Sequence, residues 1–182
     1  MSLSLPCSPN SQSTSSDLWV TTTNCKQSAT NRNSNTGSNT GICTTGDSFN
    51  TGSSSTFKSL NEKFGVTYGS GQVAGTLGSD TVSMGGFSVQ SQVFGLVDRM
   101  TVDLTTGTVS GILGLAFQSL ANSRAMPWWQ ALQTGGQWDE PVMSFYLTRS
   151  VLPPARVLLI LSDRVPHSIG PMMPRRTFQV VK

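Results

Sequence analysis

One histidine, three cysteines and a charged fraction of only 12% leave this 182-residue chain short of the parts from which most catalytic sites are assembled. His167 lies in the basic tail, so the body of the chain has no base for a Ser-His-Asp or Cys-His hydrolase. Three cysteines and one histidine at scattered spacings make no zinc site, and no metal or cofactor is expected. No Gly-rich turn is followed by Lys-Ser/Thr and a helix, which excludes the P-loop and dinucleotide fingerprints. No apolar run is long enough to span a bilayer, so no membrane association is expected. Residues 1–14, "MSLSLPCSPNSQST", show neither apolar alternation nor a signal-peptide core of adequate length and read as an atypical leader.

The formal charge of +3 is unevenly placed. Residues 1–148 carry 6 Lys and Arg against 8 Asp and Glu, a net −2, whereas 149–182 carry 6 basic residues against Asp163 alone, a net +5. Basicity belongs to this atypical tail, without interleaved aromatics or a binding motif, and nucleic acid is not an expected partner.

What is present is Gly, Ser and Thr in abundance, the composition of a β-rich, loop-rich body. The length allows one domain with a sizeable core or half of a two-lobed protein. Residues 26–56 are almost continuously Ser, Thr, Asn and Gly, a surface excursion largely bracketed by Cys25 and Cys43. Short strands with Gly turns follow: apolar alternation at Phe64, Val66 and Tyr68, a turn at Gly69-Ser70-Gly71, and another at Gly85-Gly86. "SGILGLAF" at 110–117 reads as a buried apolar strand whose Gly114 permits close backbone approach. Pro127 suits the first turn of a short helix, "PWWQALQTGG", ended by Gly135, with Trp128 and Trp129 used in packing. "PVMSFYL" at 141–147 is one more strand. Beyond Arg149 the pattern dissolves, apart from the apolar Val157–Leu161 run, a short strand or an aggregation-prone patch.

In this order, "SSDLWV", "VTYGSGQVAG", "TVSMGGFSVQSQVFGLV", "SGILGLAF" and "FYLTR" resemble the N-terminal lobe of a pepsin-like aspartic protease of fungal type. The resemblance covers 15–148 and implies a mainly β fold, a single antiparallel lobe with a short helix. It also implies a flap hairpin tipped by Gly69-Ser70-Gly71, a flap Tyr68 whose hydroxyl meets the Trp19 indole, and Ile112 on the wall of a side-chain pocket. An ordinary core role is the alternative for Tyr68, Trp19 and Ile112. A Cys25–Cys43 disulfide, a peptide or protein substrate, and an extracellular or vacuolar setting follow from the same resemblance.

The family's active-site loop reads Asp-Thr-Gly-Ser-Ser. Here Gln12 stands at the catalytic aspartate position, Ser13 at the Thr and Thr14 at the Gly. "FNTGSSST" at 49–56 corresponds instead to a polar turn without catalytic duty. Two carboxylates sharing a proton activate water in this family, and Gln12 cannot accept that proton. Asp17 is expected on the surface, facing away from the cleft. The chain is therefore expected to be a truncated and inactive lobe. A non-catalytic peptide-binding module and a splice or frameshift product are the alternatives, and homodimerisation would cover apolar edges left by an absent second lobe.

Overall fold

The computed structural model describes residues 15–28, 42–44, 46–84, 86–101, 104, 109–138, 143–147, 157–161 and 177–180. Strands dominate them: β1 (Leu18–Ser28), β2 (Lys58–Tyr68), β3 (Gly71–Met84), β4 (Phe87–Thr101) and β5 (Gly111–Leu113) form one sheet in the order β2-β3-β4-β1-β5. The expected antiparallel pairing holds for β2–β3, β3–β4 and β1–β5, while β1 and β4 run parallel. The parallel pair puts Trp19 beside Gly95 and Val20 beside Leu96.

Side chains alternate across a strand, and both faces of the sheet's centre are buried. Leu18 and Val20 join Phe94, Leu96, Trp128 and Leu132 on one face, and Trp19 joins Phe64, Val66, Val73 and Val97 on the other. Strand β4 keeps both faces apolar by carrying two extra residues. Pairing steps from Asp80–Gln92 to Val82–Val89, with Ser91 at φ 54°, and from Ala74–Arg99 to Gly75–Val97. Each bulge reverses which parity faces which core. Phe87 and Val89 thereby share a face with Phe94 and Leu96, and Met100 lies with Val97.

Helix α1 (Trp128–Thr134) lies between Pro127 and Gly135 as its sequence indicates. Trp128 and Leu132, one turn apart, enter the core, and the Trp128 indole N–H donates to the Val82 carbonyl at 3.1 Å. Trp129 donates to the Ala116 carbonyl at 3.1 Å, so both tryptophans pack and both find acceptors.

The "FNTGSSST" stretch is a turn. Asn50 accepts from the Gly52 N–H at 3.0 Å ahead of a single 3-10 turn at Thr51–Ser53. Strand β6 (Met143–Leu147) pairs with β7 (Val157–Leu161), and β7 with β8 (Thr177–Val180), in a second, antiparallel sheet. The Val157–Leu161 run is thus the central strand of a sheet, and the basic tail contributes two strands where its sequence shows little pattern. Across 110–117 the strand is shorter than expected: only Gly111–Leu113 pair, and Phe117 is 64% exposed. The chain bends away there to hold the loop ahead of β1.

Candidate functional site

Residues 15–17 lead into β1 along the 110–117 segment. The Gly114 N–H donates to the Asp17 carbonyl at 3.0 Å and the Ala116 N–H to the Ser15 carbonyl at 3.1 Å. Ser16 Oγ donates to the Phe117 carbonyl at 2.8 Å. A Cβ on Gly114 would lie 2.6 Å from the Ser15 carbonyl oxygen, so the approach requires glycine here. Gly114 does what its sequence context predicts.

Asp17 corrects the surface expectation: it is only 3% exposed. Its Oδ2 accepts from the Asn122 N–H at 2.8 Å, and its Oδ1 accepts from the Ser123 N–H at 3.1 Å and the Ser123 hydroxyl at 2.5 Å. Three donors from one turn satisfy both carboxylate oxygens, which is how a buried charge is tolerated. Asp17 ties the loop to residues 122–123. No local pattern marks this, because the partners lie more than a hundred residues away.

Trp19, wholly buried, donates from Nε1 to the Tyr68 hydroxyl at 2.8 Å. The indole comes from β1 and the phenol from the last residue of β2, so one bond joins the sheet's centre to the base of the β2–β3 hairpin. Burial pushes the Tyr68 pKa above the ordinary phenol value; the Trp19 and Ser15 side chains lower it and the Asp17 charge raises it further. Ser15 Oγ, beside the phenol, is buried and makes no hydrogen bond of ordinary geometry among the described residues. Ile112 pairs with Trp19 across β1–β5 and, like Tyr68, packs half-buried against the Trp19 core. Gly69 and Ser70 form the exposed hairpin turn and Gly71, half-buried, opens β3. The structure therefore brings Trp19, Tyr68 and Ile112 together, with the Gly69-Ser70-Gly71 tip adjoining Tyr68.

Cys25 and Cys43 are joined by a disulfide with a Cα–Cα distance of 5.4 Å. Both are buried in the Trp19 core. Gln12, Ser13, Thr14 and Cys7 lie outside the described residues. Among the described residues no group of three His, Cys, Asp or Glu is placed to hold a metal ion, and no helix is long and apolar enough to cross a membrane.

The sequence model of the family described as eukaryotic aspartyl protease matches residues 13–164. Major aspartyl peptidase 1 of Cryptococcus neoformans var. grubii serotype A is 43% identical over 135 residues, which are 74% of this chain and 25% of that protein. Pregnancy-associated glycoprotein 1 of Sus scrofa is 38% identical over 74% of this chain and 31% of its own length. Pepsin A of Bos taurus is 35% identical over 74% of this chain and 33% of its own length. The chain spans about a quarter to a third of the length of these curated relatives.

Proposed function

The chain belongs to the eukaryotic aspartyl protease family, and on that premise we propose that residues 15–148 are an aspartic-type endopeptidase lobe that holds an extended peptide without cleaving it. The Trp19–Tyr68 hydrogen bond carries this reading, because it fixes the base of the hairpin over the loop that precedes β1. The exposed main chain at Gly69 and Ser70 offers an extended peptide the backbone pairing of an added strand, and Ile112 supplies an apolar wall for one of its side chains.

Cleavage needs a pair of carboxyl groups that share one proton and activate a water. Gln12 is a carboxamide, which neither shares that proton nor accepts one from water. The 182 residues contain no Asp-Thr-Gly in any position. Asp17 does not replace the missing group, since both its oxygens are committed to residues 122–123. Protein or peptide ligands, an extracellular or vacuolar setting supported by the disulfide, and homodimerisation belong to the same reading.

Titration calorimetry with pepstatin or an extended apolar peptide tests it. The wild type binds, and Tyr68→Ala binds at least about tenfold more weakly, the factor that about 1.4 kcal/mol of lost contact produces. Absence of binding to the wild type overturns the reading.

A further inference from the structure

Main-chain pairing between β3 and β4 reaches as far as Val73 and Met100. At the next position on each strand the ladder continues through a side chain. The Gln72 N–H donates to Thr101 Oγ1 at 2.5 Å, and Thr101 Oγ1 donates to the Gln72 carbonyl at 2.9 Å. A hydroxyl has one proton and two lone pairs, so it serves both groups at once. Thr101 is 6% exposed, which keeps water from competing for these bonds. It is anchored in turn: it pairs with Ser28 at the end of the parallel β1–β4 ladder, and its carbonyl accepts from the Leu104 N–H at 3.4 Å.

Gly71 makes room for this arrangement. Its φ is 154°, and a Cβ there would lie 2.5 Å from Thr101 Oγ1 and 2.9 Å from Thr101 Cβ. The absent side chain lets the hydroxyl reach Gln72. Across the hairpin, Gln72 pairs with Thr67 and Gly71 with Tyr68. A tether on Gln72 therefore acts one residue from the Tyr68 pair, while Gly69 and Ser70 project beyond it.

We propose that Thr101 is a positioning residue for the hairpin tip, its hydroxyl pinning Gln72 to β4 so that Tyr68 and the Gly69-Ser70-Gly71 tip are presented to a peptide in one place. The tether stands on the hydrogen bonds alone; its consequence for a ligand rests on the peptide-binding reading above.

Amide hydrogen exchange of the chain, read at Gln72 beside its global unfolding midpoint, separates the two. Thr101→Val keeps the branched shape and loses both bonds; Thr101→Ser keeps the hydroxyl. Gln72 exchanges about 3- to 10-fold faster in Thr101→Val, the fold-change of one lost hydrogen bond, and stays near the wild-type rate in Thr101→Ser. Pepstatin affinity falls by a similar factor in Thr101→Val alone. If Thr101→Val does not fold, Thr101→Ala supplies the same comparison. Wild-type protection at Gln72 in the hydroxyl-free variant, or equal loss in Thr101→Ser, overturns the tether. Faster exchange with unchanged affinity overturns its role in presenting the tip. No pepstatin binding by the wild type refutes the peptide-binding reading and leaves the exchange rates to decide the tether.

Discussion

Asp17, Asp80 and Tyr68 each place an ionisable group where water is scarce, and the neighbours decide the outcome. Asp17→Ala leaves two backbone N–H groups and the Ser123 hydroxyl without their acceptor. We expect a loss of about 2–4 kcal/mol in denaturant unfolding, the scale of breaking a charge-assisted buried network. The sequence does not mark this burial, because a carboxylate beside Leu-Trp-Val looks the same whether its partners are water or a distant turn.

Burial alone would raise the Asp80 pKa, but the Ser54 and Thr56 side chains and the Thr81 N–H hold it below the usual carboxylate range. A depressed folded-state pKa contributes stability above the unfolded value of about 3.9, and that contribution is lost as pH falls through the folded value. The stability advantage of wild type over Asp80→Asn therefore shrinks in unfolding curves taken below about pH 4. Tyr68 has the opposite sign: its raised pKa contributes stability below about pH 10, lost as pH rises through the folded value. Tyr68→Phe strands the Trp19 indole N–H and costs about 1–3 kcal/mol at neutral pH. Its deficit narrows above about pH 10.

Among the elements, the Gly-punctuated hairpins and the short helix were legible because their signals are local: alternation at Phe64 and Val66, Gly at the turns, Pro127 and Gly135 around α1. The bulges in β4 were not. An extra residue at Ser91 leaves no mark in the hydrophobic pattern, since both parities of this strand are buried on one core or the other. Nor was the parallel β1–β4 pairing visible, because it joins segments some seventy residues apart. The tail strands were obscured by charges flanking a five-residue run.

The disulfide belongs at this scale. It closes a separation of 18 residues between β1 and the residues bridged to it at Ile42. Its reduction is expected to lower unfolding stability by about 3 kcal/mol, on the chain-entropy account. Peptide mapping under non-reducing conditions should recover Cys25 with Cys43 and Cys7 as a free thiol.

At the scale of the whole molecule, membership of the family was legible from a few motifs in order, and residues 13–164 match its model. The Trp19–Tyr68 bond is what the family resemblance implies, whereas nothing in "SSDLWV" announces the tie from Asp17 to residues 122–123. Exposed Phe117 and Leu120 are surface that self-association would cover. Sedimentation velocity over a concentration series should show a monomer–dimer equilibrium, and a monomer at every concentration refutes homodimerisation.

The central proposal is that this chain holds a peptide and, with Gln12 at the catalytic aspartate position, does not cut it. A quenched-peptide assay from pH 3 to 7 tests it most directly, with wild type, Gln12→Asp, and Gln12→Asp combined with Thr14→Gly. That range spans the pH at which a proton-sharing pair works. The account predicts no pepstatin-sensitive hydrolysis by the wild type, and none by Gln12→Asp, because Thr14 puts a β-branched side chain where the loop needs the freedom of glycine. Displaced catalytic groups lose orders of magnitude in rate. Pepstatin-sensitive cleavage by the wild-type chain would contradict the account outright.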